Sequence, residues 1–326
     1  MKLSQAGEKK LIEVARKVFR KGPRVRIGIG DDAAVLDLDG VGLVATTDML
    51  VLSTHFPPGA TPEDMARKAV VTNLSDLAAM GAEPLGLLFS VALPRRRDMA
   101  FVKRMMLEMD SVAKEYGTYV VGGDLDENDE IIIAGVALGQ VKKWKPLARA
   151  GAKAGDLVAV TGNIGSASAG LKILMGKLPR GRFKALVDAQ LRPVARVREG
   201  LALAKSGAVT SAIDITDGLA ANLWQLARES GVRIEIEREK IPEDPLVSRL
   251  CYQRGFRLDD FVLYGGEDFE LLFTVRPGGW RKVSNAMRRL GTKATLIGRV
   301  SGGEGVFVFE NWRKKQLPDR GYEHFR

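Results

Sequence analysis

The sequence predicts two domains of mixed architecture, α+β (mixed α/β) rather than strictly alternating. Three observations predict it. At 326 residues the chain is long for one core and comfortable for two. Apolar runs with strand period and runs with helical period are interleaved in both halves, without strand–helix–strand alternation. Between the halves lies "KKWKPLARAGAKAGD" (142–156), basic, rich in Gly and Ala and carrying a proline, which places a boundary near residue 145. The expected domains are 1–145 and 146–326.

The elements follow in order. Leu11, Ile12, Ala15, Val18 and Phe19 fall at helical spacing, so the first twenty residues read as an amphipathic helix of the fold rather than a signal-peptide core. "RIGIGDDAAVLDL" (26–38) and "GLVATTDMLV" (42–51) read as strand, turn, strand. Pro62 and two acids open a helix that stops at Gly81. Strand 83–94, helix 98–117, a strand and turn at "TYVVGGDL" (118–125) and strand 130–141 complete the first half. In the second half, strands are expected at 156–162, 210–214, 232–237, 264–275, 294–301 and 304–310. Helices are expected after the Gly-rich turn at 163–166, at 183–192, 197–207, 219–231 and 280–291.

Composition narrows the chemistry. One cysteine, Cys251, makes no internal disulfide and reads as a small buried hydrophobe. With only His55 and His324, zinc sites built from His and Cys are nearly excluded. No apolar run approaches the ~20 residues that span a bilayer, so a cytoplasmic protein without a membrane partner is expected. The net charge of +10 is scattered in short clusters (95–97, 142–145, 313–315) with no aromatic platform between them. That reads as a solvated basic surface, not a nucleic-acid groove.

Acids recur where apolar strands end: "IGIGDD", "ATTD", "VVGGDLD", "SAIDITD" and "LYGGED". Any one of them is explained by turn chemistry or helix capping. Five in one chain shift the balance toward a shared metal-binding or anionic centre. Asp76 strengthens this, being the one charge between Lys68 and Glu83 in a helix too apolar for an ordinary solvent face. A buried carboxylate needs a partner, and Thr72 and Asn73 on the same face are not cations. Asp214 lies between Ile213 and Ile215 in a strand, and Asp217 is either a helix cap or a ligand. Many Asp and Thr with almost no His or Cys make a hard-oxygen inventory that suits several Mg²⁺ ions and a highly charged substrate, hence phosphoryl transfer. "TGNIGSASAG" either faces a phosphate or packs helix on strand, and it lacks the Gly-Lys-Ser/Thr of a Walker A loop.

The ordered set "IGDDAAV", "TTDMLVLSTHF", "NLSDLAAMGAEP", "VVGGD", "ARAGAKAGDLVAVTGNIGSASAGL", "IDITDGL", "YGGEDFELLF" and "GYEHF" covers nearly the whole chain. It resembles the thiamine-monophosphate kinase family, within the aminoimidazole ribonucleotide synthetase-like superfamily. The resemblance implies ATP-dependent phosphorylation of thiamine monophosphate to thiamine diphosphate, with Mg²⁺ and a homodimer whose N-terminal domains pair into a β-barrel. It implies metal ligation by Asp32, Thr46, Thr47, Asp48, Asp76, Asp124, Asp214 and Asp217, with Asp48, Asp76, Asp124 and Asp214 at the centre of catalysis. Nucleotide contacts fall on Gly123, Asp124, Arg149 and Thr216, and substrate contacts on His55, Glu267 and Tyr322. Asp31 is expected to form the turn beside Asp32. Met106 stands where many relatives have a Tyr beside the nucleotide.

The alternatives are another ATP-dependent enzyme of the superfamily or a non-catalytic nucleotide- or nucleic-acid-binding protein. No reactive Cys near the N-terminus argues against selenophosphate synthetase, and the basic charge is the only support for a nucleic-acid binder.

Overall fold

A computed structural model of the protein describes residues 3–142 and 144–325. Lys143, in the basic stretch at the expected boundary, lies outside the described residues.

The first half runs α1 (Leu3–Val18), β1 (Val25–Ile27), β2 (Ala34–Leu38), β3 (Val41–Val51), the single turn α2 (Leu52–His55), α3 (Pro62–Ala79), β4 (Glu83–Leu93), α4 (Met99–Glu115), β5 (Val120–Glu127) and β6 (Ile132–Val141). Its strands form one six-stranded sheet, β1-β2-β3-β6-β4-β5, antiparallel except where β4 meets β5.

The second half runs β7 (Leu157–Thr161), α5 (Ser166–Met175), α6 (Lys184–Leu191), α7 (Val197–Ser206), β8 (Val209–Asp214), α8 (Leu219–Ser230), β9 (Arg233–Glu237), α9 (Pro245–Arg254), α10 (Asp259–Val262), β10 (Leu271–Val275), α11 (Trp280–Arg289), β11 (Ala294–Ser301), β12 (Gly305–Glu310) and β13 (Arg313–Gln316). A seven-stranded sheet results, ordered β13-β12-β9-β11-β7-β10-β8, with only β9 and β12 parallel.

Helix α3 joins the two halves. Its start is fixed by a capping box between Thr61 and Asp64, followed by Pro62. Fourteen of its eighteen residues are buried, more than one amphipathic face supplies, because it packs on two sides. One side lies on β3 and β6, and the other meets α7 and β8. A single core therefore runs from Leu74 and Ala78 through Leu203 to Phe273. The α3–α7 crossing is backbone-close: a β-carbon on Gly200 would sit 2.0 Å from the Ala78 carbonyl oxygen.

Three elements depart from the sequence reading. The segment "YGGEDFELLFTV" becomes strand only at Leu271, because Glu267 and Phe269 take left-handed backbone (φ +66° and +51°). The "VVGGD" segment is not a turn, since β5 runs through it to Glu127 as the edge strand of its sheet. Gly123 is there for packing, as a β-carbon would lie 2.0 Å from the Phe89 carbonyl oxygen. Helix α1 forms but is interrupted at Gly7 (φ +69°), and Val14, Val18 and Phe19 remain exposed. It is tied across the second half by Lys9–Asp319 and Arg16–Glu229 ion pairs. Cys251 is buried among Leu250, Phe183 and Phe261, as a small hydrophobe would be.

Candidate active site

A cleft of about 1150 Å³ lies where the halves meet. Elements from both halves and both chain ends line it. The residues expected to act at Asp32, Thr46, Thr47, Asp48, His55, Asp76, Arg149, Asp214, Thr216, Asp217, Glu267 and Tyr322 all face it. Gly123 and Asp124 do not. They sit on edge strand β5, exposed, between Val121 and Leu125 (62% and 63% exposed).

At the floor, carboxylate oxygens of Asp32, Asp76 and Asp214 lie within 4.8 Å of one another. They come from the turn before β2, from α3 and from the end of β8, so the cluster exists only because α3 bridges the halves. The strand period sets which side chains of β3 reach the cluster. Thr46 and Asp48 alternate with Thr47 along β3. Thr46 donates to Asp76 at 2.5 Å, and Asp48 stands close enough to Asp76 to raise its proton affinity. The Thr47 hydroxyl instead donates to the Gly135 carbonyl at 2.8 Å. Asn73 is spent on structure, accepting the Asp48 N–H and donating to the Ala69 carbonyl. Ser75 donates to Asp214 at 2.5 Å.

The two acids of "GDD" separate in role. Both Asp31 oxygens accept the Arg149 backbone N–H at 3.2 Å, so this carboxylate fastens the segment between the halves. Asp32 Oδ1 accepts the Arg149 Nε and guanidinium NH₂ at 3.0 and 2.5 Å. Asp32 Oδ2 is buried and has no partner among the described residues.

Burial drives every acid here upward. Asp76 is held well above the ordinary carboxylate range by burial and then by Asp48. Asp214 rises to about 8 through burial and then Asp32. Asp32 and Asp48 are raised by burial, with Arg149 opposing the rise at Asp32. Burial also lifts Asp31 and Asp217 to about 6. Asp217 does not cap α8, whose cap residue Gly218 has no side chain to offer; its carboxylate accepts from Gln225 Nε2 at 3.4 Å. Clustered acids with one orphaned buried oxygen and neighbouring hydroxyls fit a hard divalent cation better than any protein group present.

The opposite wall is aromatic and mixed in charge. His55 Nδ1 accepts the Val51 N–H at 2.9 Å, and burial lowers the ring's affinity for a second proton. The His55 and His324 ring centroids are 5.4 Å apart, and Tyr322 meets His324 edge-on at 4.9 Å. The Tyr322 N–H donates to the Asp217 carbonyl, which holds the tail beside the acid cluster. Glu267 is bound by the Lys68 ammonium at 2.5 Å and by Gln190. Lys68, Glu8 and His324 were not among the expected site residues. Lys68 had a signal, as the last charge before the apolar run that isolates Asp76.

The "TGNIGSASAG" turn does not present its N–H groups to the cleft. The Asp268 carboxylate occupies that helix end, accepting from Gly165 and Ala167 at 2.8 and 3.3 Å. Burial there pushes Asp268 up to about 7.

This pair of sheets, with an acid cluster at the junction, defines an AIR synthase related protein. Residues 30–141 match the family model for the AIR synthase related protein N-terminal domain, and residues 153–311 that for the C-terminal domain. Within that class the chain belongs to the thiamine-monophosphate kinase family. It is 38% identical to a thiamine-monophosphate kinase of Pyrococcus horikoshii over 91% of each chain. It is 34% identical to one of Aquifex aeolicus over the full length of both. A solved structure described as AaThiL complexed with AMPPCP and TMP superposes with a TM-score of 0.88 at 33% identity, covering 99% of each chain.

Proposed function

We propose that this chain transfers the γ-phosphoryl of ATP to the phosphate of thiamine monophosphate, giving thiamine diphosphate and ADP. The observation that carries the reading is the placement of the Asp32–Asp76–Asp214 cluster in the same cleft as His55, Glu267 and Tyr322. One end is built for phosphates held through cations, the other for an aromatic acceptor. Membership of the kinase family and the similarity to the AMPPCP- and TMP-bound AaThiL support it.

The acceptor is a phosphate oxygen already ionised near neutral pH, so no general base is needed. The obstacle is repulsion between two polyanions. Asp32, Asp48, Asp76 and Asp214 would hold Mg²⁺, with Thr46, Thr47 and Asp217 as further ligands; Asp124, outside this chain's cleft, would join such a site only across a dimer. Bound there, Mg²⁺ supplies charge neutralisation and alignment of the phosphates. Arg149 donates fixed positive charge from beside Asp32, and Thr216 offers a hydroxyl to the nucleotide. His55 and Tyr322 bound the acceptor ring, and Glu267 supplies the one carboxylate at that wall.

Gly123 and Asp124 act in this reading as members of a homodimer. Exposed Val121 and Leu125 flank Asp124 on an unpaired sheet edge, which is the surface a second copy would cover. Domains 1–145 and 146–326 then play distinct parts: the first dimerises and carries most metal ligands, and the second closes the cleft. A cytoplasmic location follows from the biosynthetic role, and no described helix is long and apolar enough to cross a membrane. The test is purified protein with ATP, Mg²⁺ and thiamine monophosphate, products separated by chromatography. Thiamine diphosphate that vanishes with chelator is expected; none from folded, ATP-binding protein would overturn the acceptor assignment.

A further inference from the structure

Lys68, Thr72 and Asp76 lie at successive i, i+4 positions of α3, and all three face the cleft. Eight residues of helix separate Lys68 from Asp76 by about 12 Å. One helix face thus carries an acid at the phosphate end and an ammonium at the acceptor end.

That ammonium is buried, the residue being 3% exposed. It donates to the His55 carbonyl at 2.7 Å, pairs with Glu267 at 2.5 Å, and stands 5.6 Å from the Phe56 ring centroid. A buried cation persists only where partners replace its water. Here the partners are the acceptor wall itself. Glu267 belongs to the second half and carries its own constraint. Its backbone is left-handed, a conformation a non-glycine residue holds only where its surroundings enforce it. Its N–H donates to Thr216, and Lys68 and Gln190 take one carboxylate oxygen each.

We propose that Lys68 is a positioning residue for the acceptor. It fixes the attitude of Glu267 across the junction of the halves and cancels its charge. The second role matters because the cleft already holds the aspartate cluster. An uncompensated Glu267 would add a further negative charge where a phosphate monoester must enter. With Lys68 in place the pair is neutral, and the carboxylate offers directional acceptors without net repulsion. This rests on the acceptor being thiamine monophosphate, as proposed above.

The experiment is steady-state kinetics with both substrates varied, alongside thermal unfolding, for Lys68→Gln, Lys68→Arg and Lys68→Gln/Glu267→Gln. Gln keeps a donor for the His55 carbonyl but removes the charge. Lys68→Gln is expected to raise KM for thiamine monophosphate about tenfold while KM for ATP stays within about twofold. Lys68→Arg keeps the charge and is expected within about threefold of the native acceptor KM. The double variant, lacking the uncompensated carboxylate, is expected to recover part of the loss. A purely structural Lys68 predicts a lower Tm with both KM values unchanged or moved together, and that result would overturn the proposal. Should Lys68→Gln not fold, folded Lys68→Arg decides: an acceptor KM within about threefold of native supports the charge role, and a tenfold acceptor defect counts against it. Absent native turnover would instead remove the underlying reading, and the proposal with it.

Discussion

The Arg149 guanidinium donates twice to one oxygen of Asp32 and leaves the other oxygen buried and bare. The pair is therefore half-satisfied. Removing the arginine should expose the defect, since breaking a buried ion pair typically costs about 3–5 kcal/mol. Arg149→Met is expected to lower the stability of chelated protein by about 2–4 kcal/mol in urea unfolding at pH 8. With Mg²⁺ present the loss should be smaller. An equal loss in both conditions would argue against a cation site at Asp32.

Asp76→Asn separates function from folding. The native carboxyl is buried, raised well above its ordinary range and crowded by Asp48, so losing its charge relieves repulsion. Turnover is expected to fall at least about 100-fold, with Tm unchanged or higher. Near-native turnover would exclude Asp76 as a metal ligand.

The pH dependence has a definite sign. Asp214 is raised to about 8, and Asp31 and Asp217 to about 6, against roughly 3.9 in an unfolded chain. Between these limits the folded chain binds more protons than the unfolded one. These groups therefore disfavour the folded state progressively as pH rises from about 4 to 8. Metal ligation requires the deprotonated acids and should reverse the trend. The Tm difference between Mg²⁺-loaded and chelated protein is expected to be larger at pH 8 than at pH 5.5. A gap that is constant or shrinks toward pH 8 would contradict the arrangement.

Gly200→Ala tests the junction. In an open helix, Ala is favoured over Gly by about 0.5–1 kcal/mol. At this position the new β-carbon meets the Ala78 carbonyl oxygen at 2.0 Å, with no flexible side chain to yield. Overpacking of this kind costs about 1–3 kcal/mol and wins. The variant should be less stable than native, and kcat should fall because α3 carries Asp76 while α7 precedes β8 and Asp214. A stabilised, fully active Gly200→Ala would show that the helices separate freely.

Leu125→Glu places a charge on the exposed edge of β5. If that edge pairs with a second copy, the variant should sediment as a monomer and lose activity while keeping its Tm within a few degrees. An unchanged sedimentation coefficient would remove β5 from the dimer surface.

Much of this site was legible before any fold was known, for a physical reason. Asp76 and Asp214 stand in segments that are otherwise apolar, and a charge there needs a compensating partner. Asp32 and Asp48 were reached through the same strand-end pattern. What stayed hidden depends on which elements meet. That Arg149 lies against Asp32, that Lys68 reaches Glu267, and that His324 lies beside His55 are tertiary facts between residues far apart in sequence. The apolar run at 271–275 extends the expected strand back over Glu267, whereas the left-handed backbone there breaks that strand. The Gly-rich turn failed as a phosphate site because Asp268, about a hundred residues away in the chain, already fills it.

The division of the acid cluster between the halves bears on the order of folding. Asp32, Asp48 and Asp76 are made early and belong to the first sheet and to the helix packed on it. Asp214 joins them only when β8 docks against α3. The full repulsion is therefore felt only when β8 meets α3. Divalent ions should act as an assembly catalyst for that last step, hastening domain docking while leaving earlier folding phases unchanged.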